Sequence, residues 1–243
     1  MAPRRLQPGQ RAEVWIAAVD SGLSELAYAT DALLLEAPNW APDGGGLLLN
    51  GDGLLWRLDL GPVADLTPVP VADLPPINND HVIDAKRRRI YLSANDGHIY
   101  VAPIEGGTAK RVTHDSSRNH FLHGVSPDGA MLAFVELPRT DLSAPGRLAL
   151  VSSAGGKTHY PSAGSSHLDG PEYSPDGAWL YFNTEESAAA RGTRNWLVCP
   201  PRVARWSVLW SRSRWIGSRT CRRTADLPAT SASRLARKGI HRI

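Results

Sequence analysis

The sequence has few cysteines and no long apolar runs, the features that mark disulfide-rich domains and membrane-spanning segments. Its 243 residues include three phenylalanines, two methionines and two cysteines. Cys199 and Cys221 have no Cys or His partner at metal-ligand spacing, so neither a zinc site nor a redox motif is supported. No run of 18 apolar residues occurs, and we therefore predict no membrane-spanning segment.

Signals for localisation and for several enzyme classes are also missing. Residues 1–12 carry charges but no apolar stretch of the kind found in a secretory signal, so we expect a cytoplasmic protein. The chain has no Gly-x-Ser-x-Gly elbow and no phosphate-binding glycine loop. These absences argue against a serine hydrolase and a nucleotide-dependent enzyme.

The dominant feature of the sequence is a repeat. Its Pro-Asp-Gly turns begin at Pro42, Pro127 and Pro175, and a degraded copy places the equivalent position at Ala85, which gives steps of 43, 42 and 48 residues. Apolar residues stand five and seven positions after each of these four origins: Leu47 and Leu49, Ile90 and Leu92, Leu132 and Phe134, Leu180 and Phe182. This spacing of two predicts a strand with one buried face. Each copy therefore reads as strand, tight turn and strand.

A period of 40 to 50 residues with about four strands is typical of a β-propeller blade, which cannot bury its faces alone. We predict an all-β repeat array over residues 13–186, with blades at 36–74, 78–114, 120–162 and from 169 onward. Residues 13–30 read as the third and fourth strands of a further blade. The C-terminal part of the chain is expected to return with the first two strands of that blade, because an open edge invites pairing with another chain.

The order Ser-Pro-Asp-Gly, apolar strand, Gly-Gly and Arg-Val-Thr resembles the WD-like repeat of TolB-type β-propellers. The resemblance covers residues 13–186. It implies four-stranded blades, six of them in an intact relative, of which this chain would encode about four and half of the closing one. It is a signal of fold, since propellers carry many functions.

The C-terminal segment differs from the rest in composition. Residues 187–243 contain 13 Lys or Arg and one Asp or Glu, whereas residues 1–186 contain 14 and 23. The repeat stops after Glu186, and our leading interpretation is a tail that is disordered or translated out of frame. A basic tail that binds nucleic acid and a genuine appendage remain the alternatives, although we do not expect a nucleic-acid partner. Residues 1–12 are predicted to be flexible.

Candidate site residues precede the turn of each blade, at the start of the strand nearest the propeller axis. They are amides, carboxylates and imidazoles, which bind ligands well: Glu36, Asn39, Asn79, Asp80, His81, His120, His123, His167, Asp169 and Glu172. The blade symmetry is expected to bring them together at the channel mouth. Alternatively, these groups only satisfy strand ends and solvate a water-filled channel.

The expected function is a non-catalytic scaffold that binds an unidentified protein or small ligand at the channel mouth, without a cofactor. The alternative is a metal-dependent carbohydrate-active enzyme, because oligogalacturonate lyases also resemble this repeat and place His-rich metal ligands on the axis. That resemblance implies His81, His123 and His167 as candidate ligands of a divalent metal. Whether the protein is an enzyme stays open, with the balance against it.

Overall fold

Short strands joined by tight turns make up the regular structure. The computed structural model describes residues 2–161 and 167–184, together with the backbone of two later strands, Asn195–Cys199 and Ser207–Trp210. Within these residues the one helical element is a 3₁₀ turn, Ala85–Arg87. No helix in this part of the chain is long and apolar enough to cross a membrane.

The strands follow the predicted repeat. The half blade and blade one contain β1 (Ala12–Ala17), β2 (Ser24–Thr30), β3 (Glu36–Trp40), β4 (Gly46–Gly51), β5 (Leu54–Leu60) and β6 (Ala64–Pro68). The connection and blade two contain β7 (Val71–Ala72), β8 (Ile77–Asp84), β9 (Arg89–Ala94), β10 (Ile99–Pro103), β11 (Gly107–Thr108) and β12 (Lys110–Arg111). Blades three and four contain β13 (Arg118–Val125), β14 (Met131–Pro138), β15 (Arg147–Ser152), β16 (Leu168–Tyr173), β17 (Leu180–Thr184), β18 (Asn195–Cys199) and β19 (Ser207–Trp210).

Each blade is an antiparallel sheet whose strands pair in chain order. The sheets are β1-β2, β3-β4-β5-β6, β8-β9-β10-β12, β13-β14-β15 and β16-β17-β18-β19. In blade three, a bridge between Leu150 and His159 takes the position of the fourth strand. The short parallel pair β7-β11 joins the exits of blades one and two. The prediction of an incomplete all-β propeller with about four blades and a half blade is confirmed.

The apolar core lies between successive blades. The eight residues predicted to face inward are all at most 3% exposed. Leu48 and Leu55 of blade one pack in one cluster with Ile90 and Leu92 of blade two. Equivalent clusters join blade two to blade three and blade three to blade four. Because each cluster draws on two blades, stacking supplies the burial that a single blade lacks.

The Ser-Pro-Asp-Gly turns have one repeated hydrogen-bond pattern. In blade four the Ser174 hydroxyl donates to Asp176 and accepts from the Trp179 amide, while the Ala178 amide donates to Asp176. The same three bonds occur around Ser126 and Asp128 in blade three. The degraded second copy uses the 3₁₀ turn instead, which ends at Arg88 with a left-handed φ of 51°.

Two strands of the basic C-terminal segment extend blade four. β18 pairs with β17, and β19 pairs with β18, so the sheet continues beyond residue 186, where the predicted array ends. The rest of residues 187–243 lies outside the described residues. The hypothesis that this segment is disordered or out of frame therefore stays a prediction.

Candidate functional site

The candidate residues lie on the first strands of four adjacent blades. β3, β8, β13 and β16 contact one another in that order. Together they carry Glu36, Asn39, Asn79, Asp80, His81, His120, His123, Asp169 and Glu172. His167 lies directly before β16 and is half-buried. The blade stacking therefore places side chains that are about 40 residues apart in sequence on neighbouring strands.

Each of these first strands has an irregular register where the candidate residues occur. The pairing shifts between Glu36 and Asn39, between Ile77 and His81, between Leu122 and Gly124, and between Asp169 and Glu172. In blades one and four the shift is accompanied by a positive φ, 49° at Ala37 and 63° at Gly170. Such irregularities redirect side chains and are common beside binding sites. Here they interrupt the alternation of the strand next to the axis.

Asn39 and His81 form a contact between blades one and two. The Nδ2 of Asn39 lies 3.0 Å from the Nε2 of His81. An amide nitrogen only donates, so this His81 nitrogen accepts and the ring is neutral. Burial lowers the pKa of His81 to about 4, against a smaller raising effect of the Leu48 backbone. His81 therefore serves as a neutral acceptor at neutral pH.

A charged cluster joins blades two, three and four. It consists of Asp80, His123, Asp169 and Glu172, and we call it the mouth cluster. The Nε2 of His123 lies 3.0 Å from the Oδ1 of Asp169. Burial by itself would lower the pKa of His123, but Asp169, Asp80 and Glu172 together raise it above its ordinary value. Burial raises the pKa of Asp80, with His123 opposing and Asp169 adding to the shift. One imidazole faces three carboxyl groups, an arrangement that attracts cations and hydrogen-bond donors.

Glu36 lies at a separate cavity between blades one and two. The cavity measures about 230 Å³ and is lined by Glu36, Asn50, Asn78, Asn79 and the N-terminal residues 2–4, among others. The Oε1 of Glu36 lies 2.6 Å from a guanidinium nitrogen of Arg4. The Asn50 amide donates to the other oxygen of Glu36 at 3.4 Å. We call this space the N-terminal cavity.

The structure does not place His120 with the others. It is 2% exposed, and its Nδ1 lies 2.6 Å from the Gly97 carbonyl oxygen. Its ring stacks on His98 at 5.6 Å, and its Nε2 is 3.7 Å from the buried Glu136. Along β13, residues 120, 122 and 124 are buried and 121, 123 and 125 are half-buried. His120 contacts Gly97 and His98 of blade two. His123, at the register shift of β13, contacts Asp169 of blade four instead, so the two imidazoles lie in different surroundings.

The predicted metal ligands His81, His123 and His167 do not meet in one group. Within residues 2–161 and 167–184, no three or more His, Cys, Asp or Glu side chains are arranged to hold a metal ion. His81 contacts Asn39, whereas His123 contacts Asp169. These residues do not fit a metal centre, and the metal-dependent alternative stays a prediction.

The N-terminal cavity is also lined by Arg4 and Asn50, neither of which was predicted from the sequence. Arg4 belongs to a segment without pattern, so nothing in the sequence indicates its contact with Glu36. Asn50 is paired with Glu36 only because the register of β3 and β4 shifts between Glu36 and Asn39, so the turn alone does not predict this contact.

Curated proteins resemble the chain over part of its length. No protein-family model matches the chain. An uncharacterized protein of Agrobacterium fabrum is 34% identical over 158 residues, which cover 63% of this chain and 52% of that protein. The chain thus spans about half the length of this relative.

Solved structures define the class of the fold. A structure assigned to TolB from Agrobacterium tumefaciens is 28% identical, with a TM-score of 0.72, over 82% of this chain and 69% of that one. An oligogalacturonate lyase from Vibrio parahaemolyticus is 13% identical, with a TM-score of 0.59, over 86% and 61%; at that identity the likeness shows the fold alone. The chain is a β-propeller. Its fold is of the TolB-like type.

Proposed function

We propose that this protein is a non-catalytic propeller scaffold that binds a ligand, either a protein segment or a small molecule, at the channel mouth. The observation that carries the proposal is the repeated irregularity of the first strands. In each of four adjacent blades it falls among the candidate polar side chains of the first strand.

The mouth chemistry favours a ligand that is cationic or rich in hydrogen-bond donors. The mouth cluster has one imidazole against three carboxyl groups, and the nearby His81 acts as an acceptor. Partly buried carboxylates bind cations more strongly than exposed ones, because solvent screens them less. A protein segment with Lys, Arg or a free amino group meets these requirements.

A peptide-display selection tests this proposal. Random 12-residue peptides are selected on the immobilised full chain, and binders are then compared on variants. Asp80→Asn and Glu172→Gln neutralise the mouth cluster with little change of shape, while Asp65→Asn removes an exposed carboxylate on the outer strand β6. We expect binding to weaken at least about tenfold in the mouth variants, as for loss of a partly buried charged contact. The Asp65 variant should bind like the wild type. Binders that do not distinguish the mouth variants from the wild type would contradict the proposal.

The metal-dependent enzyme is tested separately with Mn²⁺, Ca²⁺, Mg²⁺ and Zn²⁺. A rise in melting temperature with one of these ions, lost in both His81→Ala and His123→Ala, would favour the enzyme over the scaffold. The exposed His114 provides the control variant His114→Ala. No shift with any of the four ions would remove the main support for the alternative.

A further inference from the structure

The N-terminal cavity is partly filled by the chain itself. Residues 2–4 form part of its lining. Arg4 pairs with Glu36, and the next residue, Arg5, lies 3.3 Å from Asp52 on the turn between β4 and β5. Pro3 approaches Gly53 so closely that a Cβ at Gly53 would lie 2.9 Å from the proline Cγ. A short basic segment therefore rests on an acidic edge of blade one.

Glu36 is built to receive a guanidinium group. Its side chain is 18% exposed, and one oxygen is oriented by the Asn50 amide while the other faces Arg4. Asn50 is itself 3% exposed, and its Oδ1 has no hydrogen-bond partner among the described residues. The carboxylate of Glu36 and the unpaired amide oxygen of Asn50 are two acceptors in the lining of one cavity. Arginine presents several N–H donors in a fixed fork, which suits such a pair of acceptors better than lysine does.

The rest of the lining suits an extended backbone. The side chains of Asn78, Asn79 and Asn95 are amides. Asn78 is hydrogen-bonded to Asp80, and Asn95 donates to the Ile77 carbonyl, but an amide has two N–H donors and an oxygen with two lone pairs and can make further bonds. Groups of this kind pair with the N–H and C=O groups of a peptide in extended conformation. Asp80 follows Asn79 on β8 and belongs to the mouth cluster. Burial raises the pKa of Asp80, and the positive charge of Arg4 opposes that shift. The N-terminal segment and the mouth cluster are therefore close enough to interact electrostatically.

Arg4 is a weakly held occupant. Its side chain is 58% exposed, and exposed ion pairs of this kind contribute little to stability. Glu36 is the more buried partner, and its carboxylate is stabilised by a guanidinium group whether that group comes from Arg4 or from a ligand. A ligand with its own arginine can replace Arg4 at small cost.

We propose that the N-terminal cavity recognises an arginine side chain on an extended peptide, and that Arg4 occupies the same carboxylate until such a peptide displaces it. This inference rests on the proposed function and names its ligand class. The chain's own Ala-Pro-Arg-Arg-Leu-Gln sequence, residues 2–7, provides a probe. It is synthesised with a fluorescein label, together with a version in which both arginines are lysines.

Fluorescence anisotropy on the full chain tests the proposal. Arg4→Ala should bind the arginine peptide about two- to fivefold more tightly than the wild type, because the internal competitor is gone. Glu36→Gln should weaken that binding at least about tenfold. Arg11→Ala removes an arginine of the same segment that pairs with Glu13 instead, and it should bind like the wild type. The lysine peptide should bind several-fold more weakly than the arginine peptide in every variant.

The outcomes separate this inference from the proposed function. If display-selected peptides need Asp80 but neither prefer arginine nor respond to Glu36→Gln, the mouth binds ligands and the arginine inference is wrong. Equal affinity of the wild type and Arg4→Ala for the arginine peptide would also overturn it. The Arg4 comparison does not depend on how well the Glu36 variant folds.

Discussion

The neutral state of His81 predicts a specific loss of stability in acid. Its ring is 5% exposed, and burial lowers its pKa from 6.5 to about 4. Between these two values the unfolded chain binds a proton at His81 that the folded chain does not. The free energy of unfolding must therefore fall as the pH drops from about 6.5 toward 4, and this residue contributes nothing to the pH dependence well above 6.5.

The magnitude follows from the size of the shift. One pKa unit corresponds to about 1.4 kcal/mol. The titration of His81 should therefore lower the free energy of unfolding by about 3 kcal/mol between pH 7 and pH 4. His81→Gln keeps an acceptor for Asn39 and removes the titration. Urea unfolding, followed by tryptophan fluorescence at pH 7, 6, 5 and 4, gives the free energy of unfolding of each protein. The variant should lose about 3 kcal/mol less than the wild type over this range.

The difference between the two proteins isolates His81. The raised pKa of His123 acts in the opposite direction, since its stabilisation is present at low pH and is lost as the pH rises, but it is common to both proteins. His114→Gln, at an exposed position, is the control and should follow the wild type. If His81→Gln and the wild type lose the same free energy in acid, the assignment of a buried neutral imidazole is wrong.

Three further predictions concern the repeat and its core. Ser174→Ala removes two hydrogen bonds of the blade-four turn and should lower the free energy of unfolding by about 1 to 2 kcal/mol. Urea unfolding measures the loss, with Ser24→Ala at an exposed position as the control, and an unchanged free energy of unfolding would contradict the turn geometry. Ala37→Gly relieves a left-handed φ of 49° and should raise the melting temperature by a few degrees, which corresponds to about 1 kcal/mol. A lower melting temperature would show that the backbone at Ala37 is not strained. Arg147→Met leaves the buried Glu136 without its ion-pair partner at 3.0 Å and should lower the free energy of unfolding by about 2 kcal/mol. Adding Glu136→Gln should restore part of that loss. Strictly additive effects of the two substitutions on the free energy of unfolding would refute the coupling between these residues.

The blade framework was predictable because its signals are local. A tight turn of fixed chemistry and an alternation of period two locate strands such as β4 and β17. The prediction of one buried face was wrong for β4, which is buried on both faces because blades pack on each side of it. Leu47, Ile90, Leu132 and Leu180 are buried where the repeat places them. The two strands β18 and β19 were not predicted, since the alternation visible in the sequence there is limited to Trp196, Leu197 and Val198.

The sequence predicted which strands carry the candidate site but not how the side chains on those strands contact one another. The repeat brings β3, β8, β13 and β16 side by side, but the irregular registers depend on pairing between strands and leave no sequence signal. For this reason the sequence grouped His120 with His123, although His120 contacts Gly97 of blade two and His123 contacts Asp169 of blade four. The contact between Arg4 and Glu36 joins two segments about 30 residues apart, of which the first has no pattern at all.

Hydrogen–deuterium exchange of the full chain, with and without the tightest display-selected peptide, tests the channel-mouth account most directly. A peptide bound at the channel mouth should protect the first strands β3, β8, β13 and β16 from exchange and should change exchange little in the outer strands β6 and β12. Protection confined to the outer strands, with the first strands unchanged, would contradict it.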